Sequence, residues 1–183
     1  MLPPSGVSPR QSREACALSV IDELVAHNRA FADGHGRSHL DVRPARRVAI
    51  VTCMDSRIDV FAALGLGDGE AHVLRNAGGV ITDDVIRSLA ISQRRLGTEE
   101  IMLIQHTDCG MRLISDDGFR AELQDTTGMA PAFAIESFTD VEANVRQSIL
   151  RVRHSVFLPH RDRVRGFVYD VDSGGLLEVL PSP

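Results

Sequence analysis

The stretch from Arg47 to Arg57 reads RVAIVTCMDSR, and the stretch from Glu100 to Gly110 reads EIMLIQHTDCG. Each opens with a short apolar run, β-branched in the first case, of the kind carried by a strand buried on both faces of a parallel sheet. Each then turns polar: Cys53 follows the first run, and His106 and Cys109 follow the second. Between the two lie a further strand-like segment, Ala71 to Leu74, and a helical pattern of Val85, Ile86, Leu89, Ala90 and Leu96. Thr82 suits the N-cap of that helix, Asp83 and Asp84 suit the positive end of its dipole, and Gly97 closes it. A shorter helix is predicted at Asp59 to Leu64, ending at Gly65.

Working outward, residues 1 to about 12 carry Pro, Gly and Ser without periodicity and read as a flexible arm. From Glu14 to Asp33 the spacing of Leu18, Ile21, Val25 and Phe31 predicts an amphipathic helix. On the other side, helices are expected at Asp116 to Leu123 and Thr139 to Arg153, with a loop around Gly128 to Pro131. Arg165 to Val171 and Leu176 to Leu180, joined by Asp172-Ser173-Gly174-Gly175, read as a closing hairpin. The expected fold is α/β, a mainly parallel central sheet flanked by helices, with an antiparallel edge strand and an N-terminal helical arm. No repeat or linker divides the chain, so residues 1–183 read as one domain, with 1–34 forming the arm and the first helix.

A chain of 183 residues is long enough to bury one core, and 43% apolar with 25% charged residues is ordinary globular composition. The net charge of -5, with no Lys/Arg block, leaves no electrostatic footprint for nucleic acid. No apolar run is long enough to span a membrane, and the opening residues lack a secretory pattern, so a cytoplasmic location is expected. Three cysteines, Cys16, Cys53 and Cys109, do not make a disulfide framework; in a reducing compartment they point to thiol or metal chemistry.

In open α/β sheets ligands bind beyond the carboxyl ends of the strands. If the first and third strands are neighbours, Cys53 meets His106 and Cys109 there. Two thiolates and an imidazole are a zinc set, and three protein donors leave a position for water. Taken singly, a cysteine at a strand end is a small buried hydrophobe and H-x2-C is a weak motif. Together, after two parallel strands, they favour a metal site. A closed structural site needs a fourth donor, for which Cys16 or Asp55 is available. Asp55 and Arg57 follow Cys53 at two-residue steps, which places them on its face if the segment is extended. Beside a metal, the carboxylate can orient a bound hydroxide while the guanidinium holds the carboxylate.

Cys53-Met54-Asp55-Ser56-Arg57 and His106-Thr107-Asp108-Cys109-Gly110 resemble the paired C-x-D-S-R and H-x-x-C-G motifs of β-class carbonic anhydrases. Arg75-Asn76-Ala77-Gly78-Gly79 is similar to that family's R-N-A-G segment, and Asn28 to Phe31 to its N-x-x-F element. The resemblance covers residues 28 to 110 well and points to the shorter bacterial and mycobacterial-type branch. It implies Cys53, His106 and Cys109 as zinc ligands and Asp55 and Arg57 as the catalytic dyad. It further implies reversible hydration of carbon dioxide to bicarbonate, and a homodimer or dimer of dimers whose N-terminal helices pack on the partner. The chain departs from the pattern at Ile58-Asp59, where many members carry Val and a nearby Pro. It has no Trp, so a Trp-containing bicarbonate regulatory pocket cannot form. Hydrolysis of carbonyl sulfide or carbon disulfide on the same zinc is the alternative, and a non-catalytic zinc or bicarbonate-binding protein is a further one. None of the other histidines, His27, His35, His39, His72, His154 and His160, stands out as a proton shuttle.

Overall fold

Five strands form one sheet in the order β2-β1-β3-β4-β5 in the computed structural model, which describes residues 19–36 and 40–180. β1 (Val48–Cys53), buried from Ala49 onward, is an interior strand that pairs in parallel with β2 (Ala71–Asn76) and β3 (Glu100–His106). β4 (Val164–Tyr169) runs parallel to β3, and β5 (Leu176–Val179) closes the edge antiparallel to β4. The expected hairpin is therefore present, and its first strand also joins the parallel sheet.

Alternation along the strands sends successive side chains to opposite faces. Ala49, Val51, Ile101 and Leu103 pack with Leu89 of α3 (Asp83–Leu96) and with Val145, Ile149 and Val152 of α5 (Val141–His154). Gly166 of β4 permits the close approach of α5, since a Cβ there would meet Val145 Cγ1 and lie 2.9 Å from Ile149 Cδ1. A second cluster of Ile50, Ile58, Val60, Val80, Ile104 and Phe138 surrounds Cys53 and Cys109.

The helix ends follow the local chemistry of the sequence. Thr82 Oγ1 accepts the Val85 N–H at 3.3 Å and Gly97 ends α3 in the left-handed region. α2 (Val60–Leu64) is capped by Asp59 and stopped by Gly65. α4 (Asp116–Thr127) runs one turn beyond expectation because its stop signal is Gly128, in the left-handed region. α5 starts after Asp140, whose Oδ1 accepts the Ala143 N–H at 3.0 Å.

The described residues fall into two compact units divided after Leu40. The first holds α1 (Val20–Asp33), opened by a reciprocal capping box in which Ser19 and Asp22 bond each other's backbone N–H. Its apolar Val20, Ile21, Leu24, Val25 and Phe31 are all exposed. The helix expected from Glu14 is described from Val20 onward; the expected arm at 1–12, Leu18 and Cys16 lie outside the described residues. No described helix is long and apolar enough to cross a membrane.

Candidate metal centre

β1 ends at Cys53 and β3 ends at His106, and because β1 and β3 are neighbours the two side chains reach the same end of the sheet. Cys109 returns to them through a tight turn in which Asp108 has a φ of 53°, left-handed backbone that Asp tolerates better than most residues. The two sulfurs and an imidazole nitrogen all lie within 4.8 Å of one another, and all three residues are buried. Gly79 (φ 64°) lies against the strand ends, where a Cβ would come within 2.8 Å of Cys53 N and 3.0 Å of Ile104 O.

The His106 ring is oriented by its neighbour. Nδ1 lies 2.8 Å from the Thr107 carbonyl, an acceptor only, so Nδ1 carries the proton and Nε2 presents its lone pair. Nε2 is buried and has no hydrogen-bond partner. An orphaned buried acceptor is costly, and a metal ion relieves that cost. The electrostatics of the cluster are coupled. The Cys109 thiol hydrogen-bonds Cys53, so Cys53 is pulled below the ordinary thiol range and Cys109 pushed above it. Backbone N–H groups of Asp55 and Gly78 further favour the Cys53 thiolate, and that of Met111 favours Cys109. Burial, the largest single influence on His106, pushes its imidazole down. The nearby Cys53 sulfur, the Thr107 carbonyl and Asp55 together outweigh it and raise the net value. Three buried donors sharing protons in this way are suited to a divalent cation that replaces those protons.

The segment after Cys53 is a turn rather than an extended strand. The Ile58 N–H bonds the Asp55 carbonyl at 3.2 Å, and Asp55 Oδ1 accepts the Arg57 N–H at 2.9 Å. This side-chain-closed turn competes successfully with continuation of the strand. It still brings the expected pair together: Arg57 Nε and Nη2 donate to the two Asp55 oxygens at 3.0 and 2.8 Å, a bidentate contact. Those bonds hold the Asp55 carboxyl well below the usual carboxylate range. Asp55 Oδ2 stands 3.7 Å from His106 Nε2, at the edge of the donor cluster.

Two further residues complete the site. Arg75 of β2 donates to the carbonyls of Cys53 (2.9 Å), Ile58 (3.0 Å) and Asp55 (2.6 Å), clamping the loop that carries Asp55. Asp108 accepts from Arg57 Nη1 at 2.8 Å and, through its carbonyl, from Nη2 at 3.0 Å. Sequence reasoning met Arg75 only within a motif and Asp108 only as a spacer. The Asn76 side chain closes the intervening turn by two bonds to Val80, and the backbone carbonyl of Asn76 accepts the Met54 N–H at 2.8 Å.

A mostly parallel α/β sheet with two sulfurs and one imidazole gathered beyond adjacent strand ends, flanked by a bidentate Asp–Arg pair, defines a narrow class of protein. The sequence profile of the carbonic anhydrase family matches residues 48–133. Beta-carbonic anhydrase 1 of Mycobacterium tuberculosis is 50% identical over 164 residues, covering 90% of this chain and all of the relative. The crystal structure of a carbonic anhydrase from Streptococcus mutans superposes with a TM-score of 0.83 at 45% identity, covering 89% of this chain and 99% of that one. A carbon disulfide hydrolase of Acidithiobacillus thiooxidans is 34% identical over 76% of this chain and 80% of its own length. The chain belongs to the β-carbonic anhydrase family.

Proposed function

We propose that the protein catalyses reversible hydration of carbon dioxide to bicarbonate and a proton on a zinc ion held by Cys53, His106 and Cys109. The observation that carries this reading is the gathering of both sulfurs and a His106 ring nitrogen within 4.8 Å of one another, with His106 Nε2 buried and unpartnered and Asp55 Oδ2 3.7 Å from it. Zinc at that position supplies a Lewis acid that makes a water molecule nucleophilic near neutral pH. The chain's own residues do the rest. Thr107 fixes the His106 tautomer through its carbonyl. Asp55 stays ionised and can accept a hydrogen bond from the attacking oxygen, while Arg57 occupies both carboxylate oxygens and keeps them from the metal. Arg75 fixes the loop beneath them.

Two thiolates cancel the formal charge of zinc. The midpoint of the rate with pH is therefore expected between the about 7 of a three-histidine carbonic anhydrase and the about 9 of aqueous zinc. Stopped-flow hydration of carbon dioxide by zinc-loaded protein tests the proposal, and a rate no greater than buffer overturns it. The second reading, hydrolysis of carbonyl sulfide or carbon disulfide, has support in relatives of 30 to 34% identity named carbon disulfide hydrolases. The 50% identity to a carbonic anhydrase favours the first reading. Parallel assays of the substrates separate them.

We further propose that residues 1–183 act as one functional domain within a homodimer or dimer of dimers, with α1 docked on the partner. A helix with five exposed apolar residues and none buried needs such a cover. Sedimentation showing an active monomer at micromolar concentration would rule this out. Thiolate donation by Cys53 and Cys109 requires that they stay reduced, which fits a cytoplasmic setting.

A further inference from the structure

Arg57 has five N–H donors, and its two sides are bound by different parts of the chain. Nε and Nη2 face Asp55 on the loop after β1, whereas Nη1 and Nη2 face Asp108 on the loop after β3. The guanidinium is thus the link between the two loops that deliver the metal donors.

Asp108 could owe its place to backbone geometry alone, since its φ of 53° favours Gly, Asn or Asp. Gly or Asn would serve that turn equally well, so the turn does not require a carboxylate. Nor does stability explain one: the side chain is 78% exposed, and an exposed ion pair contributes little. What the carboxylate does is geometric. With its carbonyl it holds the far side of the guanidinium, so the side facing Asp55 is presented in one orientation rather than sampled among the rotamers of a long side chain. We propose that Asp108 is a positioning residue, acting through Arg57 to fix the orientation of Asp55. Its effect on turnover rests on the carbonic anhydrase reading; its effect on Arg57 does not.

The test uses zinc-loaded full-length protein and the variants Asp108→Asn and Asp108→Gly, both compatible with left-handed backbone, alone and combined with Arg57→Ala. Zinc content is measured first and is expected to match the parent. The Nε–H resonance of Arg57, assigned by its absence in Arg57→Ala, reports the Arg57–Asp55 contact that Asp108 is proposed to hold in place. It is expected to be protected from solvent exchange in the parent and to exchange faster in Asp108→Gly, with Asp108→Asn between them. In carbon dioxide hydration, kcat should fall about tenfold in Asp108→Gly with little change in KM, the scale typical of residues that orient a metal site from outside. Asp108→Asn should recover part of the loss. In the Arg57→Ala background Asp108→Gly should add almost nothing, because the two act as one unit. Unchanged Nε–H exchange in Asp108→Gly, or an equal loss of rate with and without Arg57, overturns the proposal. Should the parent hydrate no carbon dioxide while Asp108→Gly still releases the Arg57 Nε–H, the positioning role stands and the reading of the activity fails.

Discussion

The two ends of strands β1 and β3 are built from the same sheet and do different things. At the amino ends, a groove of about 510 Å³ is lined by Val48, Glu100, Met102, Arg163 and Phe167. Charges there form exposed pairs: Glu99 with Arg47 and Arg163, and Glu178 with Arg165. At the carboxyl ends, Cys53, His106 and Cys109 are buried, and His106 Nε2, like Thr52 Oγ1 and Gln105 Oε1 on the same two strands, has no hydrogen-bond partner. Both ends contain a non-glycine residue with left-handed backbone, Arg47 (φ 54°) and Asp108 (φ 53°). At Arg47 that conformation aims a carbonyl at the Glu99 and Glu100 N–H groups, a purely structural use. At Asp108 it returns the chain to Cys109 and offers a carboxylate to Arg57. Neither cavity size, nor charge density, nor backbone strain separates the site from the rest of the molecule. The gathering of two buried sulfurs and a buried imidazole nitrogen within 4.8 Å of one another does so.

That contrast breaks most directly at the three proposed ligands. Cys53→Ser, His106→Ala and Cys109→Ser should each strip zinc and abolish turnover, because a three-donor site opens when one donor is lost. Full zinc occupancy in Cys109→Ser, measured by metal analysis, would remove the central assignment. Next in size is a pair of glycines. Gly79→Ala forces an L-residue into φ 64° and drives a Cβ to 2.8 Å from Cys53 N, so a loss of about 3 kcal/mol is expected. Gly97→Ala, at the opposite end, has φ 75° but meets only Arg43 Cδ at 3.9 Å, and should cost about 1 kcal/mol. Urea unfolding of both variants decides whether close packing is peculiar to the carboxyl ends; equal losses would mean that it is not.

A smaller effect concerns acid. The folded pKa of Asp55 lies below its ordinary value because Arg57 holds the carboxylate, so its pairing contributes stability above about pH 4 and loses it as pH falls further. Between about pH 4 and pH 2, thermal unfolding of the parent should therefore fall more steeply than that of Asp55→Asn. Parallel slopes would show that the pair carries no linkage. The smallest change is expected at the amino ends. Arg165→Ala removes a solvent-screened bidentate pair with Glu178 and should change stability little, less still at high salt, with turnover unaltered. A loss of activity there would join the two ends functionally.

Much of this architecture is legible in local sequence. The β-branched run Val48 to Thr52 is a central strand, Thr82 and Gly97 bound α3, and Gly65 stops α2, because caps and periodicity depend on residues a few positions apart. The extended placement of Asp55 and Arg57 failed for an equally local reason, the bond from the Arg57 N–H to the Asp55 carboxylate. Asp108 was passed over because its partner, Arg57, belongs to a different strand end.

By itself the sequence determined the element types and the H-x2-C turn that brings His106 and Cys109 to one place, since these follow from side-chain chemistry within one strand or turn. Tertiary structure alone decided that β1 lies beside β3, so that Cys53 joins them, and that β4 sits between β3 and β5. It alone set Arg75 across three carbonyls of the Cys53 to Ile58 loop and Arg57 between two carboxylates. The physical reason is register: periodicity tells which face a residue occupies, whereas the neighbour it meets across that face depends on how separate strands align, which is settled only when the whole core packs.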